Sequence, residues 1–394
     1  MRAVRSAAAA GLAALVLGLM VSGRSVAAEP YEINVLLSQT GSGAFLGNRM
    51  ATALHVLEGV TNKNGGIHGR PIHFVIQDDQ TNPLTAVQLT NALIAKRVPI
   101  IMGSSLSATC SAMQPLIAKS GPVQYCFSPI ISGTPGGYLF SSSAGSDSIA
   151  AGIVRFYRES GWTNIALMMS TDASGADFER NVNAALAAPE NARMHVLARE
   201  HFNPADLSAT AQIANIKAAK PQALLSFATG TSFGTILHAF YDAGMDIPIS
   251  TSGGNMIYEQ MAQYVGFTPR LLYFPTTRGD APNPRLHPGP IKDAQQLYFS
   301  AFKAAGERPD HATGIAWDPA SIVVEVMRRL GPDATADQFR NELEHFHGYA
   351  GINGIYDFRD GSQRGIGANA VVIYHWNAQK KSFDVVSGPG GHVQ

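Results

Sequence analysis

Short apolar runs alternate along the chain with longer segments in which apolar residues recur at the spacing of a helix. Over the first 145 residues this pattern predicts four strands separated by three helices. The predicted strands cover 33–37, 72–76, 98–102 and 123–127, and the predicted helices cover 45–62, 84–95 and 107–118. Such an alternation favours a parallel sheet with helices on both of its faces.

The same rhythm begins again after Gly145 and predicts a second α/β domain of similar build, which starts near residue 147. Its predicted helices cover 149–159, 176–187, 209–218 and 233–243, and its predicted strands cover 165–169, 194–202, 223–227 and 247–250. Two domains also agree with the length of the chain, which exceeds what one hydrophobic core usually serves.

A third block is mainly helical. A strand at 271–274 precedes helices at 291–305, 313–329 and 336–345, and alternating strand character resumes over 352–376. The helices are in a position to return to the first domain, a topology that periodicity alone leaves open.

Residues 1–28 have the pattern of a secretory signal peptide. Arg2 and Arg5 precede an apolar core over 7–21, and small residues at 26–28 precede Glu29. We expect cleavage at that point and export of the remaining chain. We expect no lipid anchor, because no cysteine lies at the cleavage region.

Charge and cysteine content narrow the function classes. The 29 basic residues balance the 29 acidic ones without long runs of either sign, so there is no electrostatic signature of nucleic-acid binding. Cys110 and Cys126 could pair in an oxidising compartment or remain buried thiols. His345 and His347 have no clustered partners, and we expect no metal site.

Loops rich in hydroxyl groups follow the predicted strands. They lie at 42–47, 103–109 and 128–134 in the first domain and at 171–175, 228–230 and 251–255 in the second. Parallel sheets bind ligands beyond the carboxyl ends of their strands, so we expect two facing rims with a small-molecule cleft between them. The helix start at Ser107 could hold a carboxylate through backbone N–H groups, or its hydroxyl could simply cap the helix.

One motif suggests an enzyme instead. The stretch GTSFG over 230–234 fits the G-x-S-x-G pattern of a hydrolase and makes Ser232 a candidate nucleophile. However, no HGGG-type stretch precedes it, and the chain repeats a small unit rather than building one large sheet. A secreted serine hydrolase using Ser232 is therefore the alternative from another functional class. The glycines over 41–47 are spaced one residue too widely for a dinucleotide fingerprint.

The arrangement NGGIHGRPI at 64–72 followed by DDQTNP at 78–83 resembles the type I periplasmic binding proteins of the branched-chain amino acid (leucine/isoleucine/valine) ABC-importer class. The stretches GSSLSATCSAMQPLIA at 103–118 and DAGMDIPISTSGG at 242–254 extend the resemblance. It implies two parallel-sheet α/β domains joined by a three-strand hinge that closes on a ligand. It assigns 29–146 plus 277–348 to the N-terminal ligand-binding domain and 147–276 plus 349–394 to the C-terminal one.

The resemblance also implies a function. A monomer in the periplasm, with no cofactor and no enzymatic activity, would capture a small carboxylate-bearing ligand and deliver it to the permease subunits of an ABC importer. A ligand-sensing receptor subunit of the same fold, which delivers nothing to a permease, is a further alternative.

Carried over position by position, the family's ligand contacts fall on both rims. They are Phe45, Ser107, Ala108, Ile130 and Ser132 in the first domain and Ser174, Thr229, Ser252 and Asn255 in the second. Two departures matter for the ligand. Ser174 and Thr229 stand where family members often have aromatic side chains, and 251–255 lacks the acid that binds an α-amino group. Burying an ammonium without a partner is costly, so this loss weakens the case for a hydrophobic or branched-chain amino acid and makes an amine-free aromatic or aliphatic acid a serious candidate.

Overall fold

The structure is a computed structural model that describes residues 29–394, so the expected signal peptide lies outside the described residues. The first domain contains β1 Tyr31–Leu37, α1 Ala44–Lys63, β2 Ile72–Asp78, α2 Pro83–Ala95, β3 Ile100–Gly103, α3 Ser107–Ile117, β4 Val123–Cys126 and β5 Leu139–Ser141. The five strands form one parallel sheet in the order β2-β1-β3-β4-β5. Helices cover both faces, as the alternation predicts.

The second domain begins at the following helix. Its elements are α4 Ser146–Glu159, β6 Asn164–Ser170, α5 Ala173–Leu186, β7 His195–Phe202, α6 Thr210–Ala219, β8 Ala223–Phe227, α7 Thr231–Asp242, β9 Ile249–Ser250, α8 Tyr258–Gln263 and β10 Leu272–Thr277. These five strands are parallel to their neighbours within this group.

The rest of the chain contributes to both domains. It contains α9 Pro290–Ala305, α10 His311–Leu330, α11 Ala336–His345, β11 His347–Ala350, β12 Ile355–Asp357, β13 Val371–Asn377 and β14 Ser382–Val385. β13 and β14 join the second sheet as antiparallel strands, which gives the order β14-β13-β10-β9-β8-β6-β7. The expected α/β class, with parallel-dominated sheets in two domains, is confirmed.

The position of the last crossing between the domains follows from packing. Ile352, Tyr356, Phe358 and Ile366 are buried in the same core as β1 and α10, although the expected division at residue 348 assigns them to the C-terminal domain. The next residues in the chain, from β13 onward, join the core of the second sheet. We therefore propose that the N-terminal domain extends to Ala370.

A buried carboxylate holds two parts of the third block together. Asp318 of α10 accepts hydrogen bonds from the backbone N–H groups of Ile352 and Asn353, at 2.9 and 3.1 Å, and from the hydroxyl of Tyr356, at 2.9 Å. Burial raises the pKa of Asp318 to about 6, although these donors favour its ionised form. The contacts fix the hairpin β11–β12 against α10.

Candidate ligand-binding site

A cavity lies between the two domains, beyond the carboxyl ends of their parallel strands. Its first-domain wall comes from the loops after β3 and β4 and from the start of α10, and its second-domain wall comes from the starts of α4 and α5 and the loops after β8 and β9. The volume of the cavity is about 90 Å³. The cavity therefore suits a small molecule.

The start of α3 presents unpaired donors to the cavity. The helix begins at Ser107, and the preceding residue, Leu106, is extended and offers no side-chain cap. Ser107 therefore does not cap its own helix. The first N–H groups of the helix are left for another acceptor, and the helix dipole favours a negative one. This end of the cavity can hold a carboxylate.

The start of α5 faces α3 across the cleft. Its cap is Asp172, whose carboxylate accepts a hydrogen bond of 2.8 Å from the N–H of Gly175. Gly175 allows the helix to approach β6 closely, because a Cβ atom there would lie 2.0 Å from the carbonyl oxygen of Ser170. This packing places Ser174 where its hydroxyl oxygen lies 2.8 Å from that of Ser107.

The remaining wall of the cavity is apolar and partly aromatic. Phe178 of α5 and Phe227 of β8 stack with their ring centroids 4.5 Å apart and their planes 25° apart. Phe127, Ile130 and Ile149 add apolar surface to the lining. A ligand with one anionic end and a flat or branched apolar body fits a cavity that is polar at the start of α3 and apolar along this wall.

Charge is almost absent from the lining. Among the described residues that form the cavity there is no Asp, Glu, Lys or Arg, and His311 is the single side chain that ordinarily titrates. An α-amino group would therefore find no carboxylate there. His311 is not among the contacts expected from the sequence, although its place next to Asp310 at the start of α10 was a signal.

The structure brings five of the expected contacts together. Ser107, Ile130, Ser174, Thr229 and Ser252 all line the cavity. They come from five different loops or helix starts, which agrees with the expectation of two facing rims.

The other four expected contacts do not line it. Ala108 is exposed on the outer side of α3. Phe45 packs against the backbone of Gly230, since its ring carbon Cε1 would lie 3.1 Å from a Cβ atom at that position. Phe45 thus joins the domains beside the cavity instead of lining it.

Asn255 has a supporting position. It is fully buried, accepts a hydrogen bond of 2.9 Å from the N–H of Gly230 and donates one of 2.7 Å to the carbonyl of Ala228. Its side chain therefore holds the loop on which Thr229 lies.

Ser132 also lies behind the lining. Its hydroxyl accepts a hydrogen bond of 2.9 Å from Arg364, which also donates to the carbonyl groups of Pro129 and Ile131 at 2.8 and 2.6 Å. Burial lowers the pKa of Arg364 to about 10. The guanidinium is thus a buried positive group that fixes the loop carrying Ile130, and nothing in the sequence pattern indicated it.

Ser232 has no base beside it. Its hydroxyl donates a hydrogen bond of 2.8 Å to the carbonyl of Thr229 within the first turn of α7. No histidine contacts this hydroxyl among residues 29–394 by a hydrogen bond. The GTSFG stretch is the start of α7: Gly230, at a φ of 67°, precedes the helix, and the other four residues form its first turn.

Cys110 and Cys126 form a disulfide, which joins α3 to the end of β4. The two loops that carry Ser107 and Ile130 follow β3 and β4, so the cross-link lies directly behind the first-domain wall.

The described part of the chain has no helix long and apolar enough to cross a membrane. Within the same residues, no three His, Cys, Asp or Glu side chains are grouped as metal ligands would be.

Comparison with known proteins agrees with this architecture. A family model described as periplasmic binding protein matches residues 30–381. No curated protein gives a significant match.

Solved structures of the same fold cover nearly the whole chain. An extracellular ligand-binding receptor from Rhodopseudomonas palustris HaA2 is 18% identical with a TM-score of 0.78, and the alignment covers 90% of this chain and 99% of that one. The branched-chain amino acid binding protein LivJ from Streptococcus pneumoniae, in complex with isoleucine, is 18% identical with a TM-score of 0.73 over 91% of this chain and 99% of its own. A solute-binding protein of an ABC transporter from R. palustris, in complex with benzoate, is 18% identical with a TM-score of 0.71 over 93% and 97%.

Proposed function

We propose, since the chain belongs to the periplasmic binding protein family, that it is the periplasmic solute-binding component of an ABC importer and binds a small amine-free carboxylic acid with an aromatic or branched apolar body. The observation that carries this proposal is the neutral lining of the cavity. It offers hydroxyl groups and the start of α3 to a carboxylate but no acid to an ammonium group. The absence of an acid disfavours leucine, isoleucine and valine, because desolvating their ammonium group would go uncompensated.

In this proposal, Ser107 and the N–H groups at the start of α3 bind the carboxylate. Phe178, Phe227 and Ile130 contact the apolar body. Contacts to both walls favour the closed arrangement of the two domains, because a ligand shifts such an equilibrium by its difference in affinity for the two states. The closed monomer then presents both domains to the permease subunits.

The similar structures include one bound to isoleucine and one bound to benzoate, so the fold accommodates both ligand classes. The lining of the cavity in this chain, which has no acidic side chain, favours amine-free acids such as benzoate. The experiment must therefore separate the amino group from the rest of the ligand.

The test is thermal unfolding and calorimetric titration with matched ligand pairs. Phenylalanine is compared with 3-phenylpropanoate, isoleucine with 3-methylpentanoate, and benzamide with benzoate. We expect 3-phenylpropanoate, 3-methylpentanoate and benzoate, which carry a carboxylate but no amino group, to stabilise the protein. A ligand at 100 times its Kd adds about 2.7 kcal/mol to the free energy of unfolding. Stabilisation by the amino acids without stabilisation by the acids would contradict the proposed ligand class.

Delivery is tested separately from binding. Deleting the gene should abolish uptake of the acid that binds, with growth on unrelated carbon sources unchanged. Unchanged uptake would support the sensing role instead.

A further inference from the structure

His311 and Asp280 form a buried pair at one side of the cavity. Nδ1 of His311 lies 2.6 Å from Oδ2 of Asp280, and the exposed fractions of the two side chains are 5% and 0%. The hydroxyl of Thr276 donates to the same carboxylate oxygen at 2.8 Å. The same hydroxyl lies 3.0 Å from Nδ1, so Asp280 and Thr276 together hold the ring of His311 on its Nδ1 side.

Because Nδ1 is held by Asp280 and Thr276, Nε2 is the ring nitrogen of His311 that can contact a ligand. Nε2 has no hydrogen-bond partner in the described part of the chain, and it is not fully enclosed by protein atoms. The space that His311 lines is the cleft. A histidine ring held by a carboxylate on one nitrogen and open on the other is a general arrangement for binding a polar group.

The surroundings of the pair contain other charges, and three of them, Arg49, Glu307 and Asp310, are paired with one another. Asp310, the residue before His311, binds Nε of Arg49 at 2.8 Å, and Glu307 binds the same guanidinium at 3.0 Å. Across the domain boundary, Glu259 lies at the start of α8 and adds to the field around Asp310 and Arg49. Arg308 stacks on Tyr258 of the second domain. None of these side chains lines the cavity.

An anionic ligand in this cavity would otherwise lack a charged partner. Burial of a carboxylate among neutral groups alone is unfavourable compared with burial next to a cation. Histidine is the side chain whose charge ordinarily changes between pH 5 and 8, so among the described residues of the lining His311 is the one that can supply a positive charge to a bound carboxylate.

We propose that His311 is a ligand-contacting residue that takes a proton from solvent onto Nε2 when the carboxylate binds and then donates that Nε2–H to the ligand, with Asp280 as the residue that positions the ring. The inference rests on the proposed function, because it presupposes a carboxylate ligand. It assigns to α10 a part in the site that the expected contacts do not include. It also makes affinity for the acid depend on pH.

The test is calorimetric titration with benzoate at pH 8 in two buffers of different ionisation enthalpy, which counts the protons taken up with the ligand. We expect the wild-type protein to take up a substantial fraction of one proton at pH 8 and much less at pH 5.5. This measurement needs no variant, so it is decisive even if a substitution prevents folding.

Two variants test whether His311 is the group that takes up the proton. His311→Gln should bind benzoate roughly 10-fold to 100-fold more weakly, as expected for loss of a charge-assisted hydrogen bond, and should take up no proton. Asp280→Asn should retain binding with reduced proton uptake. The matched control is His238→Gln, because His238 forms a similar pair with Asp242 at 2.8 Å on the surface of α7, away from the cavity.

The outcomes separate the two proposals. If benzoate, 3-phenylpropanoate and 3-methylpentanoate all fail to bind, the proposed ligand class falls and this inference falls with it. If an acid binds without proton uptake, or if His311→Gln binds it as tightly as the wild type does, only the role of His311 is overturned.

Discussion

The hydroxyl groups of Ser107 and Ser174 are joined by a hydrogen bond of 2.8 Å that connects the two domains across the ligand cavity. Neither residue could make this contact within its own domain, and the two lie 67 positions apart in the sequence. Because the bond spans the cleft, it would break if the two domains moved apart, and it joins two residues that we expect to contact the ligand.

Removing either hydroxyl should weaken ligand binding, but to different extents. Ser174→Ala loses the contact between the domains, worth about 1 kcal/mol, and should bind the acid about fivefold more weakly. Ser107→Ala also loses a donor to the carboxylate and should bind it more weakly still. Titration calorimetry measures both effects, with Ser300→Ala on the exposed side of α9 as the control. Equal affinities for all three variants would exclude this site.

A second contact between the domains should slow ligand release. The guanidinium carbon of Arg308 lies 3.4 Å from the ring centroid of Tyr258, and Nη2 of Arg308 donates a hydrogen bond of 2.8 Å to the carbonyl of Lys381. An exposed cation–π contact is worth about 0.5–1 kcal/mol. Arg308→Ala should therefore speed dissociation about two- to fivefold in stopped-flow measurements, with little change in the association rate.

The control for that experiment is a cation–π contact within one domain. Arg70 lies 4.0 Å from the ring centroid of Tyr31, and both residues belong to the first domain. Arg70→Ala should leave the dissociation rate unchanged. An equal change in both variants would show that the effect is not one of domain closure.

The disulfide should contribute measurably to stability. A cross-link that closes a loop of this size is expected to add about 3 kcal/mol to the free energy of unfolding, since Cys110 and Cys126 are 16 positions apart. Urea unfolding should shift to lower concentrations when dithiothreitol is added. The double variant Cys110→Ala/Cys126→Ala should behave like the reduced protein and be insensitive to the reductant; identical midpoints with and without reductant would contradict the prediction.

Asp318 should make stability depend on pH in a defined direction. Its pKa is raised to about 6 in the folded protein, compared with about 3.9 in an unfolded chain. The folded state therefore binds the proton more tightly, so the associated stabilisation is complete below about pH 4 and is lost as the pH rises through about 6.

The measurement is the difference in free energy of unfolding between wild type and Asp318→Asn. The free energy of unfolding of the wild type minus that of Asp318→Asn should fall by on the order of 2 kcal/mol between pH 4 and pH 7. Asp333→Asn, on an exposed turn, removes the same charge without burial and serves as the control. A difference for Asp318→Asn that stays constant over this range would contradict the assignment.

The sequence predicted the parts of the fold that depend on local periodicity. The strand–helix alternation and the hydroxyl-rich loops at the strand ends follow from residues that are close in the chain. The short strand β5 and the helix α8 were missed, because three and six residues respectively are too few to show a period.

The site was harder to predict where it depends on long-range packing. Arg364 reaches the loop of Ile130 from more than 200 positions away in the sequence, and His311 enters the cavity only because α10 returns to the first domain. The resemblance placed Ser107 and Ser174 on the rims through their neighbours in sequence. The resemblance did not indicate His311 or Arg364, which belong to the third block.

The cleft does not attract anions from a distance. Acidic and basic residues balance over the 394 residues, and the lining contains no Asp, Glu, Lys or Arg. Only the dipole at the start of α3 favours an anion, and it acts at close range. The rate of ligand entry should therefore change little between low and high ionic strength. Capture should then depend on how long the domains stay apart, so we expect the association rate to be similar in dilute and in saline surroundings.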